Sequence, residues 1–165
     1  MKPFSIKPLN SFQIIVLGFA GVILAGALLL MLPVSSATHC VTPFLSALFT
    51  STTSVCVTGL IVVDTGTYWS VFGQAVILVL IQIGGMGVVT VAAAVTIVSG
   101  RKIGLMQRST MQEAVAAPKM SGIVRLTGFI IRATLLIELS GAALLAPVFC
   151  RDFGLIRGLW MALFH

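Results

Sequence analysis

The run from Thr42 to Leu60 opens apolar with Phe44, Leu45, Ala47, Leu48 and Phe49. It passes through five consecutive hydroxyls at 50–54 and ends on Val55, Cys56, Val57, Thr58, Gly59 and Leu60. The chemistry this pattern can do is to hold a dehydrated cation on backbone oxygens. Thr42 as N-cap and Pro43 at the first helical position predict a helix start. Ten helical residues rise about 15 Å, half the depth of a bilayer core of about 30 Å. A half-helix that stops there points the negative end of its macrodipole, about half a charge, into the membrane. The backbone from Val55 to Leu60 is then expected to be extended, its carbonyls replacing the hydration shell of a potassium ion. Gly59 supplies the freedom to turn a carbonyl inward without a Cβ clash. Asp64, the only acid in the first hundred residues, would sit at the outer mouth and concentrate cations. The competing reading is an external loop with an amphipathic helix on the membrane surface. Such helices usually carry a charged face, and residues 42–63 carry no charge.

Elements long enough to position such a loop follow from composition. The 165 residues are 58% hydrophobic and 8% charged, with a mean hydropathy of +1.14, far from soluble usage. That leaves room for three spans and a half-span, and none for a nucleotide-binding domain. The net charge of +6 comes from cations flanking apolar runs, where they set orientation and touch anionic headgroups, so no nucleic acid is implied. Cys40, Cys56 and Cys150 are odd in number and fit no metal spacing. The first span is expected at about 12–32, where a cleaved signal peptide is the rival reading. The second is expected at 71–99, with Tyr68 and Trp69 as an interfacial anchor, and the third from about Val124 to Phe149. Lys2 and Lys7 precede the first span. Arg101, Lys102, Arg108, Lys119 and Arg125 follow the second, and the segment between the two has no Lys or Arg. The N-terminus and residues 101–123 are therefore expected on the cytoplasmic side.

Two charges fall inside the third span. Arg132 is near enough to the cytoplasmic end to snorkel, whereas Glu138, near the midplane, needs a partner: a coupling ion or an arginine from a missing repeat. Six residues apart on a helix, they do not face each other. The glycine run at Gly84, Gly85 and Gly87 predicts close packing of the second span on the half-helix. It lacks the following lysine and helix start that a phosphate loop would have. His39 and His165 have no nucleophile or carboxylate cluster beside them, so no enzyme is expected. Ser46-Ala47-Leu48-Phe49-Thr50 is echoed by Met161-Ala162-Leu163-Phe164-His165, each after an apolar span, which predicts the opening of a second half-helix.

Residues 47–60, Gln82-Ile83-Gly84-Gly85-Met86-Gly87 and Gly100-Arg101-Lys102-Ile103 together resemble the Trk/Ktr/HKT superfamily of potassium transporters, most of all the Ktr-type membrane subunit. The resemblance implies an all-α integral membrane protein built from span–pore loop–span repeats, the first of an expected four. On this division 1–100 is the first repeat, with a pore helix at 43–53 and a filter strand at 55–61. Residues 101–123 are a cytoplasmic linker, and 124–165 are the first span and the start of the pore helix of a second repeat. It implies Gly59 as the filter glycine, a glycine there going with potassium over sodium. The carbonyls of Val57, Thr58, Gly59 and Leu60 are the implied ion ligands. It further implies potassium uptake with no cofactor bound by this chain, sodium as a coupling ion in some members, homodimers of the full-length subunit, a cytoplasmic nucleotide-binding RCK-type partner and a plasma-membrane location. With three filter strands absent, the chain is expected to be an N-terminal part that does not transport alone. A membrane assembly or scaffold protein is the alternative.

Overall fold

A computed structural model describes residues 10–98, 104–114 and 123–165, and among them the regular structure is helical, with one isolated bridge between Ser36 and Trp69. Lys2, Lys7, Arg101, Lys102 and Lys119, on which the orientation argument leans, lie outside the described residues. Helix α1 spans Ser11–Met31 and begins where the Asn10 N–H donates to Gln13 Oε1 at 3.1 Å. Pro33, which lacks a donor, opens the single 3-10 turn Pro33–Ser35 that ends the run. Helix α2 is Phe44–Val55, α3 is the short turn Thr65–Tyr68, α4 is Val71–Met86 and α5 is Val88–Val98. Helix α6, Leu105–Ala114, is followed by α7, Ile123–Phe153, and α8, Leu155–Phe164. Helices α1 and α7 are long and apolar enough to cross a membrane. At 31 residues, α7 rises about 46 Å, more than the hydrocarbon core is thick.

Four expectations are corrected. The cap of α2 is Pro43 and not Thr42: Pro43 has extended torsions and its carbonyl accepts from Ala47 N, while Thr42 is buried and its Oγ1 accepts from Tyr68 Oη at 3.3 Å. The second span is not one helix. It breaks at Gly87, whose φ of +82° no helix can hold, leaving α4 and α5 on either side. Trp69 is not an interfacial anchor: it is 2% exposed, edge-on to Tyr68 at 5.0 Å between ring centroids. Nor does extended backbone begin at Val55, which is the last helical residue of α2.

The core lies where α1, α2 and α4 meet, at Leu30, Ala47, Val55, Ile77 and Leu80 with Trp69, and Phe164 of α8 packs on its edge. Small residues make that meeting close. A Cβ on Gly26 of α1 would fall 2.5 Å from Ser51 Oγ, and one on Gly84 of α4 would fall 2.0 Å from the Val55 carbonyl oxygen. Ser51 is fully buried and donates to the Ile23 carbonyl at 2.7 Å, so α2 is tied to α1 by a hydrogen bond as well as by packing. The other end is closed by Ser70. Its N–H donates to the Ser35 carbonyl at 2.9 Å and its hydroxyl to the Val34 carbonyl at 2.5 Å, joining the start of α4 to the 3-10 turn that follows α1.

Candidate functional site

Helix α2 does not simply stop; it is wound shut. The Val57 N–H donates to the Ser54 carbonyl at 3.2 Å and the Thr58 N–H to the Thr53 carbonyl at 3.0 Å. This is the paired arrangement of a Schellman motif, with Val57 at the left-handed position, φ +52°. Glycine normally occupies that position. A β-branched residue there carries roughly 1–2 kcal/mol of backbone strain. Two residues on, Gly59 is again left-handed at φ +74°, and a Cβ there would meet no atom within 4 Å. The segment between helix and loop is thus a sequence of turns, and its one glycine is needed for torsion while its open side faces space.

That space is a cavity of about 560 Å³. Val57, Gly59, Leu60 and Asp64 line it, with Thr50, Thr53 and Ser54 of α2 and His165 from the end of α8. Of the sequence-predicted residues, Thr58 is not among those lining the cavity, and its hydroxyl lies 2.5 Å from Oγ1 of Thr53, which does line it. Asp64 has a local job as well: its carboxylate accepts from Gly66 N at 3.4 Å and from Thr67 Oγ1 at 2.5 Å, capping α3. Arg132 and Glu138 are not brought to the cavity and are both exposed on α7. The partner of Glu138 is Gln82 of α4, whose Nε2 donates to Oε2 at 2.5 Å.

Several contacts at this site escaped the sequence reading. Gln74 of α4, 7% exposed, accepts from Trp160 Nε1 at 2.7 Å and donates to the Trp69 carbonyl at 3.2 Å, holding α8 against α4. Glutamines at 74 and 82 in a span were the available signal, since an amide in an apolar helix must find a partner. The arrangement as a whole can offer a cation main-chain and hydroxyl oxygens in a space bordered by a single carboxylate.

Residues 5–165 match the TrkH family, described as a cation transport protein. The chain is similar to the potassium/sodium uptake protein NtpJ of Enterococcus hirae, 38% identical over 165 residues, which are 100% of this chain and 37% of that protein. It is 42% identical to the Ktr system potassium uptake protein B of Bacillus subtilis over 153 residues, 93% of this chain and 34% of that protein. The Ktr system potassium uptake protein D of the same organism is 33% identical over 144 residues, 87% of this chain and 32% of its own length. The chain spans about a third of the length of the curated relatives it matches.

Proposed function

The chain belongs to the TrkH family of cation transport proteins, and from that premise we propose that it forms the first pore repeat, and the start of the second, of a potassium uptake subunit. The carbonyls of Val57, Thr58, Gly59 and Leu60 contribute one strand of a filter, and Asp64 gathers cations at its mouth. Permeation is passive and selective, the ion being held by dipoles in place of fixed charge. Helix α8 opens the pore helix of the second repeat, and residues 101–123 face the cytoplasm with the N-terminus. The full-length subunit sits in the plasma membrane, pairs as a homodimer, meets an RCK-type nucleotide-binding protein and takes potassium.

The observation that carries this reading is the exit of α2: a closed helix end followed by Gly59 at φ +74°, its open side on the same cavity as the α2 hydroxyls and Asp64. Half-helix ends aimed at a cavity are how membrane proteins coordinate ions without charged ligands. The test is a chimera in which this chain replaces the aligned third of the Bacillus subtilis Ktr system potassium uptake protein B, expressed in cells lacking their own potassium uptake. Uptake is expected, and Gly59→Ser is expected to lower potassium preference over sodium about tenfold, a change of ~1.4 kcal/mol. A chimera that reaches the membrane at the parent's level but takes up no potassium, or whose ion preference ignores Gly59→Ser, overturns the proposal.

A further inference from the structure

The five hydroxyls at 50–54 do not do the same thing. Thr50, Thr52 and Ser54 each donate to the carbonyl four residues back, at 2.9, 2.7 and 2.7 Å, and Ser51 donates to α1. Thr53 is directed forward. Its Oγ1 accepts the Leu60 N–H at 2.9 Å and lies 2.5 Å from Thr58 Oγ1, while its main-chain oxygen accepts the Thr58 N–H at 3.0 Å.

A trans peptide is planar, with its N–H and C=O pointing in opposite directions, and the segment contains no cis bond. Anchoring the Thr58 N–H on Thr53 therefore turns the Val57 carbonyl away from α2. Anchoring the Leu60 N–H on the Thr53 hydroxyl turns the Gly59 carbonyl away in the same manner. The first anchor is main chain and survives any side chain at 53. The second depends on one hydroxyl, and it acts on the residue whose φ of +74° and open Cβ side leave little else to hold its peptide plane.

We infer that Thr53 is a specificity-determining positioning residue: its hydroxyl, through Leu60, fixes the direction of the Gly59 carbonyl and hence the potassium preference of this filter strand. The inference rests on the proposed function and adds to it a residue that touches no ion. Thr53→Val keeps the volume and removes the hydroxyl, so the Leu60 N–H and the Thr58 hydroxyl both lose that partner, while the main-chain bond from Thr58 remains. The chimera described above separates the two ideas. If the unmutated chimera takes up neither ion, the function fails and takes this inference with it. If it prefers potassium, Thr53→Val is expected to raise the potassium KM and to lower the potassium-over-sodium ratio by about five- to tenfold, with the maximal rate for sodium retained. Thr53→Ser, which keeps the hydroxyl, restores the ratio. A defect that was only structural would lower membrane abundance and both ion rates together. Should Thr53→Val fail to accumulate, Thr53→Cys, which lacks the γ-methyl and offers a weaker acceptor, is read instead and is expected to give an intermediate ratio. An unchanged ratio in a well-expressed Thr53→Val or Thr53→Cys protein, or a ratio not rescued by Thr53→Ser, overturns the inference.

Discussion

Replacing Gly84 by alanine is expected to loosen the contact between α4 and the end of α2. The added Cβ would stand 2.0 Å from the Val55 carbonyl oxygen, 2.7 Å from its carbon and 2.9 Å from its Cα. Ordinary contact begins at 3.4 Å, so the two backbones must separate by more than an ångström along that line. All three atoms are main chain, and no rotamer change relieves the overlap. Overpacking of this kind costs about 1–3 kcal/mol, and the upper end applies where backbone meets backbone. Alanine gains up to about 1 kcal/mol over glycine inside a helix, which leaves a net loss of about 2 kcal/mol. For a chain of this size that is a fall of roughly 4–8 °C in Tm. Gly85 is the internal control: it is exposed, a Cβ there meets nothing within 4 Å, and Gly85→Ala is expected to be neutral or slightly stabilising. Thermal unfolding of both variants in the same detergent reads the difference directly. Equal melting of Gly84→Ala and Gly85→Ala would refute the close approach of α4 to α2.

Other perturbations follow from the same geometry. Val57→Gly removes a β-branched side chain from a left-handed position and is expected to stabilise by about 1 kcal/mol, seen as a Tm raised by roughly 2–4 °C; no rise would show that Val57 is not strained. Trp160→Phe deprives Gln74 Oε1 of its 2.7 Å donor in a site only 7% exposed and is expected to cost about 1–3 kcal/mol, with Gln74→Leu in the same background recovering part of it. Failure of that recovery would place the loss elsewhere.

Residue types alone led to a helix beginning beside Pro43, because a fixed φ and a missing N–H suit that place and few others. Composition gave the apolar helices now seen as α1 and α7, since little else can be done with so many uncharged residues in a row. The turns of the loop were less readable. Val57 at φ +52° contradicts local preference, and only the hydrogen bonds that close α2 overrule it. The break at Gly87 hid in a run of three glycines whose tasks differ: Gly84 admits a carbonyl, Gly85 is exposed, and Gly87 takes a torsion that ends a helix. Composition shows small residues there and cannot assign them. The hydrogen bond from the Gln82 amide to Glu138, across 56 residues of sequence, was not legible either. Long-range polar pairs of this kind depend on helix rotation, which hydropathy leaves undetermined.

The backward-bonded hydroxyls of α2 also decide what that helix shows to its surroundings. A hydroxyl has one proton and two lone pairs. With the protons of Thr50 and Ser54 given to Ser46 and Thr50 carbonyls, what these groups turn toward the cavity is lone-pair density. The wall is thereby polarised in one sense without carrying a charge. These two hydroxyls can solvate a positive guest and have no free proton to offer a chloride or a phosphate. An anion against this face would find only acceptors on Thr50 and Ser54 and the Asp64 carboxylate along the same cavity lining, so proton placement by itself disfavours negative charge there.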